Sequence, residues 1–425
     1  LALSFVLAPC SAAAAEPATG ALSLTLDKAL ALAQLRSRLL AGQDAAAAAA
    51  REMALAAGQL PDPTLKAGVN NLPIDGADRL SLTRDFMTMR SVGVMQEFTR
   101  DDKRKARSAR FEREAGVAEA GRAVALANLR RDTAVAWLDR HYQERMRELL
   151  QLQRAEAALQ VEAADAAYRG GRGQQADVFA SRSAVALIDD RIRQMDIQVA
   201  TASTKLARWV GPDAAASLAP PPDLATTPLQ SGELESHLEH HPQVLLAASQ
   251  EAVARAEADI ARSNKQPDWS VELMYSQRGS AYSNMVSINV SVPLQWDQTN
   301  RQDRELSARL ALAEQMRAQR EEITREHVTE ARSWLQQWQG NRGRLAHYDS
   351  SLVPLAAERT QASIAAYCGG GGSLAGVLEA RRMEIDTRME RLRLEMETAG
   401  LWAQLQYLIP AFTSPSGQAP TEQQR

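Results

Sequence analysis

Ala166–Arg182 reads A-A-Y-R-G-G-R-G-Q-Q-A-D-V-F-A-S-R, and Ala365–Arg381 reads A-A-Y-C-G-G-G-G-S-L-A-G-V-L-E-A-R. Nine of the seventeen positions are identical. Two unrelated Ala-rich helices would not agree so often, so the pair marks an internal repeat. Trp137 and Trp334 keep a similar spacing, as do Pro61-Asp62 and Pro267-Asp268. A unit of roughly 200 residues, longer than a solenoid repeat, is therefore used twice. Each copy is a small architecture with the same order of parts.

That order is helix, strand, strand, very long helix, Gly-rich turn, helix. In the first repeat (24–210) a helix over 26–58, with Thr25 and Asp27 as candidate caps, stops at Pro61-Asp62-Pro63. Thr64–Asn70 then alternates, with Leu65, Ala67 and Val69 against Thr64, Lys66 and Asn70. A weaker strand covers Met89–Phe98, giving a hairpin over 64–98. In the second repeat (232–410) the helix runs 233–265. Trp269–Ser276 alternates strictly, and so do Val286, Ile288, Val290 and Val292 with Ser287, Asn289 and Ser291, for a hairpin over 269–294. These half-apolar strands of about ten residues have the length that crosses a bilayer at a tilt.

Helical stretches over 101–168 and 298–367 follow the hairpins. Roughly 70 residues at about 1.5 Å each make a rod of about 100 Å, a length met in coiled coils. Pro354, and the matching region of the first repeat, predict a kink or break. Gly170–Gly173 and Gly369–Gly372 reverse the chain, and helices return over 177–210 and 374–409, completing coiled-coil hairpins over 101–210 and 298–409. A Pro-rich segment, 211–231, links the copies, and 411–425 reads as a disordered tail.

Four strands cannot close a barrel, and an open sheet edge is forbidden in lipid because its unpaired N–H and C=O groups cost several kcal/mol each. If these strands face lipid, the chain must oligomerise. Three copies supply twelve strands, enough for an aqueous lumen, and the helical hairpins extend it as a tube. The expected fold class is mainly α with a small β part, and on this condition three copies would assemble a trimeric twelve-stranded barrel with an α-helical tunnel.

The ends and the bulk composition set further bounds. Leu1–Pro9 is apolar and Ser11–Ala15 small, so 1–15 reads as a signal-peptide remnant with cleavage after Ala13-x-Ala15. Leu7-Ala8-Pro9-Cys10 also resembles a lipoprotein box in which Cys10 would be lipidated. Either route takes the chain out of the cytoplasm. Only Cys10 and Cys368 are present, which excludes a disulfide framework. A net charge of −3 gives no reason to expect nucleic acid. No G-x-S-x-G, P-loop, H-E-x-x-H or C-x-x-C pattern occurs, so neither enzyme nor cofactor is expected. His237 and His241 share a helix face as a possible metal pair, but a structural role is the simpler reading, and no metal site is assigned. Met87, Met89 and Met95 could offer thioethers to a soft metal, but barrel packing or loop filling is the simpler reading. The basic run 100–110 reads as a solvated face or a headgroup contact. Trp269, Tyr275 and Trp296 belong either to an aromatic girdle or to a core.

The two-copy order, with a tip reading Y-x-x-G-x-x-x-x-x-D-V, resembles the TolC-type outer-membrane efflux channels from about Leu24 to Pro410. Tyr168, Gly171, Asp177 and Val178 match the tip. Tyr367, Gly370 and Val377 match in the second copy, where Gly376 replaces the acid. Leu60–Pro73 and Met87–Phe98 are similar to the heavy-metal branch of CzcC and CusC. The resemblance implies a homotrimer in outer-membrane lipid with its helical part in the periplasm. Its partners would be a periplasmic adaptor and an inner-membrane pump of the resistance–nodulation–division type (RND system). Tyr168, Asp177 and Tyr367 take the positions of a pore constriction. Gly170, Gly171, Arg172 and Gly173, with Gly369, Gly370, Gly371 and Gly372, take those of an adaptor-docking tip. From the residues alone, Asp177 is equally a helix N-cap, the tyrosines cap the helical interior, and the glycines merely reverse the chain. A drug or small-molecule duct and a periplasmic coiled-coil scaffold are the alternatives.

Overall fold

The computed structural model describes residues 23–228 and 239–409. The signal remnant, Cys10, His237, the polar tail and the segment where linker meets second helix lie outside the described residues. Ten principal elements follow one another: α1 Leu26–Arg36, α2 Arg38–Ala57, β1 Thr64–Asn70, β2 Met89–Phe98, α3 Asp101–Arg169, α4 Gln175–Val210, α5 Pro242–Ser263, β3 Trp269–Gln277, β4 Met285–Ser291 and α6 Gln302–His347. They are completed by α7 Val353–Cys368 and α8 Leu374–Gln406. The fold is mainly helical, with one small antiparallel sheet. No helix among the described residues is long and apolar enough to cross a membrane.

Three boundaries differ from the expectation. The first helix is broken at Ser37, whose Oγ accepts the Leu40 N–H at 3.3 Å and caps a new helix. A capping serine inside an Ala-rich run offers the backbone a competing bond. Before it, Thr25 caps α1 by accepting the Lys28 N–H at 3.2 Å. Second, the proline break is confined to one repeat. Tyr348–Leu352 forms a π-turn, and the Val353 N–H bonds Tyr348 O there. Pro354 has no N–H to give, and the wider turn absorbs that loss. α3 has no proline in the matching region and runs unbroken for 69 residues. Third, much of the Pro-rich segment is packed. Gly211–Ala215 is a 3₁₀ turn, and Leu24 bridges Leu218, with its N–H on Ser217 O at 2.8 Å.

The chain divides into two compact units, each drawn from both repeats. One holds the described parts of 1–36, 132–225 and 344–400. Its centre is Trp137, fully buried, whose Nε1–H donates to Leu24 O at 3.0 Å. Arg140 donates to the carbonyls of Ala214 and Ala216 nearby, the latter at 2.9 Å. At the far end of α7, Ala164, Val178, Leu374 and Val377 form a small core between the helix pairs.

The other unit holds the described parts of 37–131, 226–343 and 401–425, including the sheet. Here the buried Glu251 is shared by Arg255 and Arg320, the latter at 3.1 Å. His241, also buried, caps α5: its Nδ1 accepts the Gln243 N–H at 3.3 Å. Its ring lies 4.4 Å from that of His327, beside a cleft of about 360 Å³ that Arg131, Glu326 and Glu330 also line. Burial first, and then His327, hold its pKa down to about 4. His241 thus caps a helix, as the structural reading expects, while His237 lies outside the described residues; no three-ligand cluster occurs among the described residues.

A histidine whose pKa is lower folded than unfolded stabilises the fold above its unfolded value, about 6.5, and loses that contribution as pH falls towards the folded value. The unfolding temperature should therefore drop between pH 6.5 and 4. His241→Asn, which keeps a capping acceptor but does not titrate, should show a smaller drop. Thermal unfolding followed by circular dichroism at pH 7, 5.5 and 4.5 checks this. Parallel pH curves for the two proteins would refute it.

Candidate functional site

Strict alternation in four strands gives a sheet with two different faces. The strands pair in the order β1-β2-β3-β4, all antiparallel. Leu65 stands opposite Val94, Val94 opposite Leu273, and Leu273 opposite Ile288. Ala67, Val92, Tyr275 and Val286 form the next row on the same face. This apolar face is open. Leu65 and Ile288 are each 71 % exposed, and Val94, Leu273, Val286 and Val290 are exposed too. A contiguous apolar patch of this kind marks an interaction surface, since a soluble monomer would bury it. The other face carries Lys66, Ser91, Glu272, Ser287 and Asn289, with Asn70 Nδ2 donating to Ser91 Oγ at 2.9 Å. β1 and β4 are the two edges, each seven residues long, while β2 and β3 have ten and nine.

Two contacts invisible to the pattern fix this sheet. Lys66 Nζ reaches Glu272 Oε2 at 3.0 Å, crossing β2 where Gly93 has no side chain. A Cβ on Gly93 would lie 2.6 Å from Leu273 O, so only glycine lets β2 and β3 approach here. At the start of α3, Lys103 is only 5 % exposed and sits 2.7 Å from Asp268 Oδ2. The Arg100 N–H bonds the other oxygen at 3.0 Å. Burial opposes the charge on Asp268, but these bonds hold its carboxyl below the usual range. The basic run 100–110 is thus not wholly a solvated face. Its signal was the repeated Pro-Asp pair, which ties the sheet to the helix that follows β2.

Trp269 stacks on Phe98 with centroids 4.4 Å apart, yet both Trp269 and Tyr275 are 44 % exposed and Trp296 is 87 % exposed. The core alternative for these aromatics does not hold. Met87 is exposed as well, and Met95 is half-buried.

The two tips repeat bond for bond. Gly170 N–H donates to Ala166 O at 3.0 Å, and Gly369 N–H to Ala365 O at 2.9 Å. Gly171 and Gly370 bond the tyrosine carbonyls and take φ of 70° and 78°, the left-handed region that needs glycine. Gly173 and Gly372 close the turn onto Ala167 and Ala366, where a Cβ would crowd the preceding helix. At position 371 a Cβ would meet only Ala366 O, at 4.0 Å, which is why its counterpart tolerates Arg172.

The tips differ at their caps. In the first, Asp177 Oδ2 accepts the Gln174 N–H at 3.2 Å, reaching back from the third helical residue. In the second, Gly376 offers no carboxylate, and Ser373 Oγ accepts the Gly376 N–H at 3.2 Å instead. The missing acid is replaced by a capping hydroxyl. Tyr168 is 44 % exposed, whereas Tyr367 packs against the core of Ala164, Val178, Leu374 and Val377. The three expected constriction residues lie at the tips, in unequal surroundings.

Solved structures share this arrangement. The outer membrane protein VceC of Vibrio cholerae superposes with a TM-score of 0.74 at 19% identity, over 90% of this chain and 95% of that one. The chain has the fold of the TolC-type outer-membrane channels. The outer membrane channel CmeC of Campylobacter jejuni gives 0.76 at 12% identity over 92% and 87% of the chains. CusC gives 0.71 at 15% identity over 91% and 92%. CusC does not stand apart from the others, so the TolC-type fold does not select a heavy-metal branch. No family model matches the chain, and no curated protein does.

The tip geometry separates glycines that are needed from one that is not. Gly171→Ala and Gly370→Ala should each cost about 1–2 kcal/mol for the left-handed backbone. Gly371→Ala should be neutral or stabilise by up to about 1 kcal/mol. Denaturant unfolding of the three variants checks the ranking, and equal losses would contradict it.

Proposed function

We propose that three copies of this chain form a passive exit duct in the outer membrane. The observation that carries this reading is the sheet: one face exposed and apolar, the other polar, with two open edges, in a chain of TolC-type fold. The apolar face meets lipid, Trp269, Tyr275 and Trp296 lie at the membrane–water boundary, and the polar face lines water. The helical hairpins form the periplasmic part. The glycine tips, with Arg172 projecting from the first, meet a periplasmic adaptor, which joins an inner-membrane pump of the resistance–nodulation–division type. Energy comes from the pump, and the duct does no chemistry.

Heavy-metal cations are the proposed cargo. Support comes from the CzcC- and CusC-like segments Leu60–Pro73 and Met87–Phe98. Asp177 fits this: one ring of three carboxylates per trimer attracts cations at the tip constriction with Tyr168 and Tyr367.

The duct reading expects a protein that resists carbonate extraction from membranes, needs detergent, and runs as a trimer. A soluble monomer would end it. For cargo, expression in a host stripped of its own outer-membrane ducts should restore tolerance to zinc, cobalt or cadmium ions when the matching pump and adaptor are supplied. Restored tolerance to dyes and detergents alone would favour the small-molecule reading. Asp177→Asn keeps a capping acceptor while removing the charge. In planar bilayers it should reduce cation preference several-fold with little change in unfolding temperature. An unchanged preference would take Asp177 out of the constriction.

A further inference from the structure

The two repeats carry opposite charges at one equivalent position. Pro61-Asp62 and Pro267-Asp268 place Thr64 against Ser270, so Lys66 is the counterpart of Glu272. In β1–β2, Thr64 faces Met95. In β3–β4, Ser270 faces Ser291. Ser291 is therefore the counterpart of Met95, and likewise Ile288 of Val92. The seam between repeats, β2 against β3, pairs Met95 with Glu272 and Val92 with Tyr275. It is the one junction in the sheet that joins the end of one repeat to the start of the next.

Resting on the trimeric duct reading, we propose that β4 joins β1 of a second copy by repeating that seam one unit on. Ser291 then faces the partner's Lys66, Val290 the partner's Ala67, Ile288 the partner's Val69, and Ser287 the partner's Asn70. Every apolar residue meets an apolar one and every polar residue a polar one. A slip by one residue would turn each strand over and put Lys66 into lipid. A two-residue slip keeps the faces but loses the diagonal offset at which Lys66 reaches Glu272 across β2. In the chain, Lys66 Nζ reaches Glu272 across β2 at 3.0 Å. The repeated seam brings Glu272 to the partner's Lys66 across β4, with Asn289 standing where β2 has Gly93. Around a closed ring the polar face then carries three Lys66 and three Glu272 in alternation. Had the duplication kept one sign at this position, six like charges would repel there.

The occupant of both edges is thus a second copy of this chain, in one register. Neither edge strand can stay unpaired in lipid. Within one chain, Val69 and Ile288 lie on the outer strands, separated by three strand spacings, roughly 14 Å at about 4.8 Å each. A disulfide needs Cα atoms within about 7 Å. A bond between those positions must therefore join two chains.

Val69→Cys with Ile288→Cys, in a Cys368→Ser background, is expressed in membranes and oxidised with copper phenanthroline. Non-reducing denaturing gels should show crosslinked dimers and trimers, with the background protein showing none. Ala67→Cys with Ile288→Cys, the two-residue slip, should crosslink at least several-fold less. Preferred crosslinking through position 67, or none at either pair in a protein that light scattering finds trimeric, overturns the register while leaving the duct. A soluble monomer overturns both. The charges are tested separately. Lys66→Glu and Glu272→Lys should each lower the temperature at which the trimer dissociates, and the double exchange should recover most of the loss. A trimer as heat-resistant with either single change as without it overturns the alternating ring.

Discussion

Backbone groups that have left water must find partners, and nearly every feature of this chain answers to that requirement. The described sheet has four strands and two unpaired edges. In water such edges are a liability, and in hydrocarbon each unpaired group costs several kcal/mol. No element of its own unit covers Leu65, Leu273 or Ile288 on the apolar face, and in the proposed duct that face meets hydrocarbon. Satisfying both conditions demands more strands, and copies of the same chain can supply them. The proposed duct would be a consequence of closing a ladder of hydrogen bonds.

Duplication makes that closure simple, and departures from symmetry show where each copy was adjusted. The tips keep every turn bond but exchange caps, Asp177 in one and Ser373 in the other. Only the second long helix carries a proline, and only there does a π-turn appear. Arg391 grips Asp349 beside that turn at 2.5 and 3.3 Å, holding the bent segment to the returning helix. The opposite charges at Lys66 and Glu272 turn a repeated position into a complementary pair within the sheet.

Lys103 is buried, and its ammonium is compensated by Asp268 and by Gln266 O at 3.3 Å. Removing one member of such a pair leaves the other buried and unmatched, which is costly. The direction in which α3 leaves β2 is therefore set by a contact to the following repeat. Within this unit the β2–β3 ladder, the Lys66–Glu272 pair and this ion pair all bind the two repeats together.

Much of this was legible in the residues. Period-two alternation reads out strand faces because side chains must point to opposite sides of a pleat, and it located all four strands. The Gly turns were readable because φ near 70° excludes most other residues. The long helices followed from an absence of breakers. What the sequence could not decide were choices between equal local options. Ser37 breaks a helix that composition alone would continue, because a capping bond competes with the helical one. Lys103 looks like any basic residue at a helix start until Asp268, 165 residues away, arrives beside it. Tyr168 and Tyr367 occupy the same position in the repeat, yet one is exposed and the other packs on a core. Local patterns fix what depends on backbone geometry. Pairings across long stretches of chain, and the burial they impose, exist only once the elements are packed.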